Sequence, residues 1–110
     1  MSTEETLDVV LRHATAMRIS VEAILADYAD DAVVVTNMID QPAVGTDQIR
    51  ALIGASVKDL KPLDAPHATV LVRKAEGDYL MQALEDGGKL TVETFVVKDG
   101  KIVFESVFMR

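Results

Sequence analysis

At 110 residues, with 49% hydrophobic and 26% charged side chains, the chain has the composition of a folded globular protein and the length of one domain, 1–110. It has no cysteine, which excludes a disulfide framework, a thiolate metal site and a cysteine nucleophile, and suits a reducing compartment, so a cytoplasmic location is expected. A net charge of -7, scattered lysines and arginines, and only three phenylalanines and two tyrosines argue against binding to nucleic acid or anionic membranes.

No apolar stretch approaches the roughly 20 residues a membrane span requires, and the opening MSTEET is acidic where an export signal is basic, so neither is predicted. Ser2 and Glu5 have capping-box spacing, and Leu7, Val10, Leu11, Ala14 and Met17 recur on one helical face, predicting a helix over 3–17. Ser20 can cap a second helix with the stripe Val21, Ile24, Leu25 and Tyr28, ending near Asp30. Ala32–Val35 is a β-branched run of strand type, followed by an irregular stretch around Asp40 and Pro42. Gly45 and Thr46 open a third helix with the stripe Ile49, Leu52, Ile53, Val57 and Leu60, closed by Lys58, Lys61 and Pro62. Beyond it, Val-, Leu- and Phe-rich runs alternate with the turn signals Gly77-Asp78, Asp86-Gly87-Gly88 and Asp99-Gly100, the pattern of a four-stranded antiparallel meander.

This order of elements, with YADDAVVV at 28–35, VGTDQIRALI at 44–53 and KDGKIVFESVF at 98–108, resembles the nuclear transport factor 2-like superfamily, most of all its SnoaL-like and ketosteroid-isomerase-like bacterial members. The resemblance covers essentially the whole chain. It implies an α+β fold in which three N-terminal helices pack on a strongly curved, mostly antiparallel sheet, a cone-shaped barrel around a small pocket. In that superfamily the pocket serves isomerases, dehydratases, cyclases, epoxide hydrolases and binding modules alike, so fold does not choose the chemistry.

Side chains alternate along a strand and opposed residues share a face, so two-residue turns fix the pocket wall. With such turns, Arg73, Gln82, Glu93 and Ser106 form one polar row, on a face shared with His67, Leu71, Leu80, Leu84, Phe95, Phe104 and Phe108. A few polar groups among apolar walls suit a small apolar organic ligand. The opposite face, with Val70, Val72, Met81, Ala83, Val92, Val96, Val103, Val107 and Met109, is too apolar to meet water, which predicts a homodimer through the outer sheet face.

Glu93 is the foremost candidate acid, because an apolar face disfavours its charged form. By the resemblance it also matches the place where ketosteroid-isomerase-like members carry an oxyanion-stabilising acid whose carboxyl is kept neutral. An ion pair with Arg73 would instead fix it as a carboxylate. The general base that the resemblance implies should follow YADDA, but Thr36 and Asn37 stand there and Asp40 is the nearest carboxylate. The tyrosine implied on helix one is missing too; Arg12 and His13 lie nearby, and His13 is read as a surface residue. Ketosteroid isomerisation is therefore not expected. His67, at the head of a strand, is a candidate acid or base, and Tyr28 could direct its hydroxyl inward. Two distant histidines at no telling spacing predict no metal, and no glycine-rich phosphate loop or other motif implies a cofactor. Two readings follow. One is a cofactor-independent isomerase, lyase or hydrolase acting through Glu93 with His67 or Asp40, and the other a non-catalytic ligand-binding or dimerisation module in which Arg73, Gln82 and Glu93 hold one another.

Overall fold

A computed structural model describes residues 1–17, 19–57 and 68–110. Helix α1, Thr3–Ala16, begins at the expected capping box: the Ser2 hydroxyl accepts from the Glu5 N–H, and the Glu5 carboxylate accepts from the Ser2 N–H. Its buried face is not the stripe read from hydrophobicity, because Thr6, Val9, Val10, His13 and Ala16 face inward while Leu11 and Met17 are exposed. The helix is rotated because two polar residues on the inward face have dedicated partners, Thr6 donating to the Gly77 carbonyl and His13 meeting Asp27.

Helix α2, Val21–Leu25, is capped by Ser20 and is shorter than expected. Strand β1, Tyr28–Thr36, starts at Tyr28 rather than Ala32. Tertiary pairing overrides the helical stripe here: the Ile102 N–H donates to the Asp27 carbonyl at 2.7 Å, and Tyr28 pairs with Ile102. After the short strand β2, Ala43–Val44, helix α3 runs Gly45–Val57. Gly45 has φ 83, a left-handed backbone conformation that favours glycine at this junction. The expected helix end at Lys58, Leu60, Lys61 and Pro62 lies outside the described residues, as does His67.

The meander forms as expected from β3 (Thr69–Glu76), β4 (Tyr79–Asp86), β5 (Lys89–Lys98) and β6 (Lys101–Met109). Pairing of Glu76 with Tyr79, Asp86 with Lys89 and Lys98 with Lys101 makes all three turns two residues long. At the last turn both central residues have positive φ, Asp99 at 52 and Gly100 at 77, as the twist-compatible hairpin turn demands. The six-stranded sheet has the order β2-β1-β6-β5-β4-β3, with β1 parallel to β6 and every other pair antiparallel. It is curved and open, with the helices packed on one face, the α+β architecture expected. Bulges at Leu71 in β3 and Val103 in β6 each insert one unpaired residue and bend their strands.

Two apolar clusters form the core. Val9 and Val10 of α1 meet Leu80, Phe95, Val97 and Ile102 of the sheet, while α2, α3, β1 and β2 supply the other around Ile24, Val34 and Ile49. Tyr28 packs against both, which places its ring at the seam and its hydroxyl beneath α1.

Candidate functional site

The register places Arg73, Gln82 and Glu93 in one row across β3, β4 and β5, with Phe95 on the same face, as the turn lengths predict. The next strand departs from the expected row. Glu93 opposes Val107, and Phe95 opposes Glu105, because the bulge at Val103 shifts the alternation of β6 by one. Phe104, Ser106 and Phe108 consequently pair with Val96, Thr94 and Val92 on the opposite face, and Phe108 is 53% exposed. Glu105 takes the inward place instead. Leu71 and Val107 likewise depart from their expected faces, the first as the β3 bulge itself and the second beside Glu93.

Glu105 is buried and accepts a hydrogen bond from the Tyr28 hydroxyl. That hydroxyl also lies 3.3 Å from Nε2 of His13, whose Nδ1 lies 3.3 Å from Oδ2 of Asp27. Arg12 completes the line, its Nε donating to Oδ1 of Asp27 at 2.7 Å. His13 is therefore not a surface residue. Its ring stands edge-on to Tyr28, centroids 5.1 Å apart, and to Phe95 at 6.1 Å. The spacing in the sequence was only a weak signal of this: His13 lies four and three residues from Val9 and Val10 along the helix, on the face that turns inward.

Electrostatics separate the two ends of this line. Burial pushes Asp27 up, but hydrogen bonds from His13 and Arg12 and their charges outweigh it and hold the carboxyl below its usual range. Burial raises Glu105, against opposing effects of His13 and the Tyr28 hydrogen bond. Glu93 is pushed up to about 7, first by burial and then by the charge of Glu105, with His13 and Arg73 opposing. The same burial, with Glu105 nearby, raises the Tyr28 phenol. One end of the line thus favours an anion and the other a neutral acid.

Arg73 does not clamp Glu93. Its Nε donates to Oε1 of Gln82 at 2.9 Å, and among the described residues the Glu93 carboxyl has neither an ion pair nor a hydrogen bond. Asp40 is exposed in the connection after β1. Thr36 is buried with its hydroxyl accepting from the Met38 N–H, and Asn37 is held by the Met109 backbone through bonds of 2.7 and 2.9 Å. Neither Thr36 nor Asn37 is available as a base. Among the described residues no three His, Asp or Glu side chains converge as a metal-binding set.

Two grooves adjoin the line from the helix side. One of about 440 Å³ includes Tyr28, Arg50 and Lys101, and one of about 580 Å³ includes Arg12, Ile19 and Asp27. Tyr28 thus borders one groove and Asp27 the other, while His13 between them lines neither.

No protein-family model matches the chain, and no curated protein matches it in sequence. Its backbone is similar to a SnoaL-like protein from Burkholderia thailandensis, with a TM-score of 0.79 at 17% identity, over 100% of this chain and 98% of that one. A nuclear transport factor 2-like protein from Burkholderia xenovorans gives a TM-score of 0.74 at 16% identity, over 100% of this chain and 92% of the other. An epoxide hydrolase from M. tuberculosis gives 0.69 at 16% identity, over 98% and 84%. The chain therefore has the nuclear transport factor 2-like fold, shared with SnoaL-like and ketosteroid-isomerase-like proteins.

Proposed function

We propose that this protein is a cofactor-independent isomerase, lyase or hydrolase that moves protons on a small apolar metabolite, with Glu93 as its acid and base. One observation carries the reading: Glu93 stands on an inward sheet face without an ion pair, beside a second buried carboxyl, while the nearest guanidinium is engaged by Gln82. A carboxyl balanced between its two forms near neutral pH can both take and return a proton. Gln82 and Arg73 supply orienting donors beside it. The ligand-binding module drawn from the sequence rested on Arg73, Gln82 and Glu93 locking one another, and only the first two do so. The structural likeness to an epoxide hydrolase makes small apolar epoxides the first substrates to assay. His67 and Asp40 remain proposed helpers on the strength of the sequence alone.

With an active substrate in hand, Glu93→Gln should lower kcat by about 100-fold or more while ligand affinity, read by calorimetry, changes little. Unchanged turnover in every active assay would overturn the assignment.

The association proposed with it is a homodimer through the outer sheet face, which carries Val72, Val96, Phe104 and Phe108 in neighbouring register.

A further inference from the structure

Three contacts run in series from Asp27 to Glu105: Asp27 with His13 Nδ1, His13 Nε2 with the Tyr28 hydroxyl, and that hydroxyl with Glu105. Each requires one hydrogen between its two heavy atoms. Asp27, held ionised by Arg12 and His13, contributes none. Tyr28 supplies one and a neutral imidazole supplies one, so the series is complete only with one additional proton. That proton has two places. With His13 as imidazolium, Nδ1–H points to Asp27, Nε2–H to the Tyr28 oxygen, and the Tyr28 O–H to the Glu105 carboxylate. With Glu105 as carboxylic acid, it donates to the Tyr28 oxygen, Tyr28 donates to Nε2, and neutral His13 keeps its Nδ1–H on Asp27. Loss of the proton sets two lone pairs against each other in a buried site.

We propose that His13, Tyr28 and Glu105 form a relay holding one shared proton, which they set on Glu105, beside Glu93, or withdraw to His13. In the transfer the Nε2–H bond of His13 breaks as an O–H bond forms at Tyr28, and the original Tyr28 O–H bond breaks as one forms at Glu105. No proton enters or leaves, and the opposite charges on His13 and Glu105 cancel. His13 and Tyr28 are positioning residues. Glu105 becomes the second proton-holding carboxyl of the site, its neutral form favoured by burial. The groups facing it are His13 from α1, Tyr28 from β1 and Glu93 from β5; Asp27 and Arg12 stand behind His13, and Arg73 acts on Glu93. The relay stands on hydrogen counting and does not need the catalytic reading of Glu93.

The test reads protonation rather than turnover. In a Glu93→Gln background near pH 8, about where free histidine is neutral and free glutamate ionised, nitrogen NMR gives the imidazolium fraction of His13. The infrared carbonyl band lost in Glu105→Gln gives the acid fraction of Glu105. The relay requires the two fractions to add to about one proton. Tyr28→Phe, which keeps the ring and removes the link, should bring the total below half a proton. His13→Asn should ionise Glu105, the reverse of what loss of a neighbouring cation would do electrostatically, and it serves where Tyr28→Phe does not fold. A total near zero in the parent, or Glu105 still acidic in either variant, would overturn the relay.

Discussion

Glu93 carries a stability cost whose sign is fixed by its direction of shift. Its carboxyl is raised from 4.5 to about 7, so folded and unfolded chains are both protonated below the lower value and the group costs nothing there. Between the two values the unfolded chain ionises first, and stability falls as pH rises; above about 7 the loss is complete. With allowance for residual solvent screening, it is on the order of 2 kcal/mol. Glu93→Gln should therefore be more stable than the parent at pH values above about 7 and nearly equal below 4.5, in urea denaturation across that range. Equal stability of the two proteins at alkaline pH would mean that burial does not hold Glu93 neutral. A variant that gains stability while losing turnover is the behaviour of a functional group kept at the expense of the fold. Asp27 works in the opposite sense: its carboxyl is lowered, so its contribution is present above the ordinary carboxylate range and is lost as pH falls through the depressed value.

At the scale of elements, polar contacts between α1 and the meander decide which face of the helix turns inward. Thr6 is fully buried and donates to the Gly77 carbonyl at 2.5 Å, while the Gly77 N–H donates to the Thr3 hydroxyl at 3.0 Å, so the β3–β4 turn is fastened to the first turn of α1. Thr6→Val keeps the shape and leaves that carbonyl without its partner, which should cost about 1–2 kcal/mol in chemical denaturation. No loss of stability would show that packing alone orients α1. The same fastening sets His13, two turns further along, against Asp27 and Tyr28. Strand β6 shows a comparable effect of one residue: Val103 stands out of register, and every later side chain changes face, which brings Glu105 inward and turns Ser106 out.

For the molecule as a whole, the bent sheet leaves apolar surface that its helices do not reach. Phe108 is 53% and Tyr79 60% exposed, and Val72 37%, so the outer face and its rim present more apolar surface than a lone chain keeps from water easily. The proposed dimer predicts twice the chain mass in sedimentation equilibrium, and Phe108→Glu should weaken association by at least about tenfold without unfolding the chain. A parent protein that stays monomeric at all concentrations would show that the face is covered otherwise or not at all. The helices, the meander and the row from Arg73 to Glu93 were legible in the sequence because they depend on local signals: caps, helical spacing, strand patterning and three two-residue turns that carry a register across neighbouring strands; the packing of helices on a curved sheet was implied by the family resemblance. Glu105, His13 and Asp27 were not, since a bulge has no strong signature in a β-branched run and the rotation of α1 is set by partners distant in the chain. Sequence by itself determined the three helices, the four strands of the meander and Glu93's face, because each follows from interactions between near neighbours, whereas β2 and the early start of β1 follow from pairing across the fold. Only the tertiary structure decided which second carboxyl meets Glu93 and which histidine stands behind it, because burial and hydrogen-bond pairing across the fold select those residues.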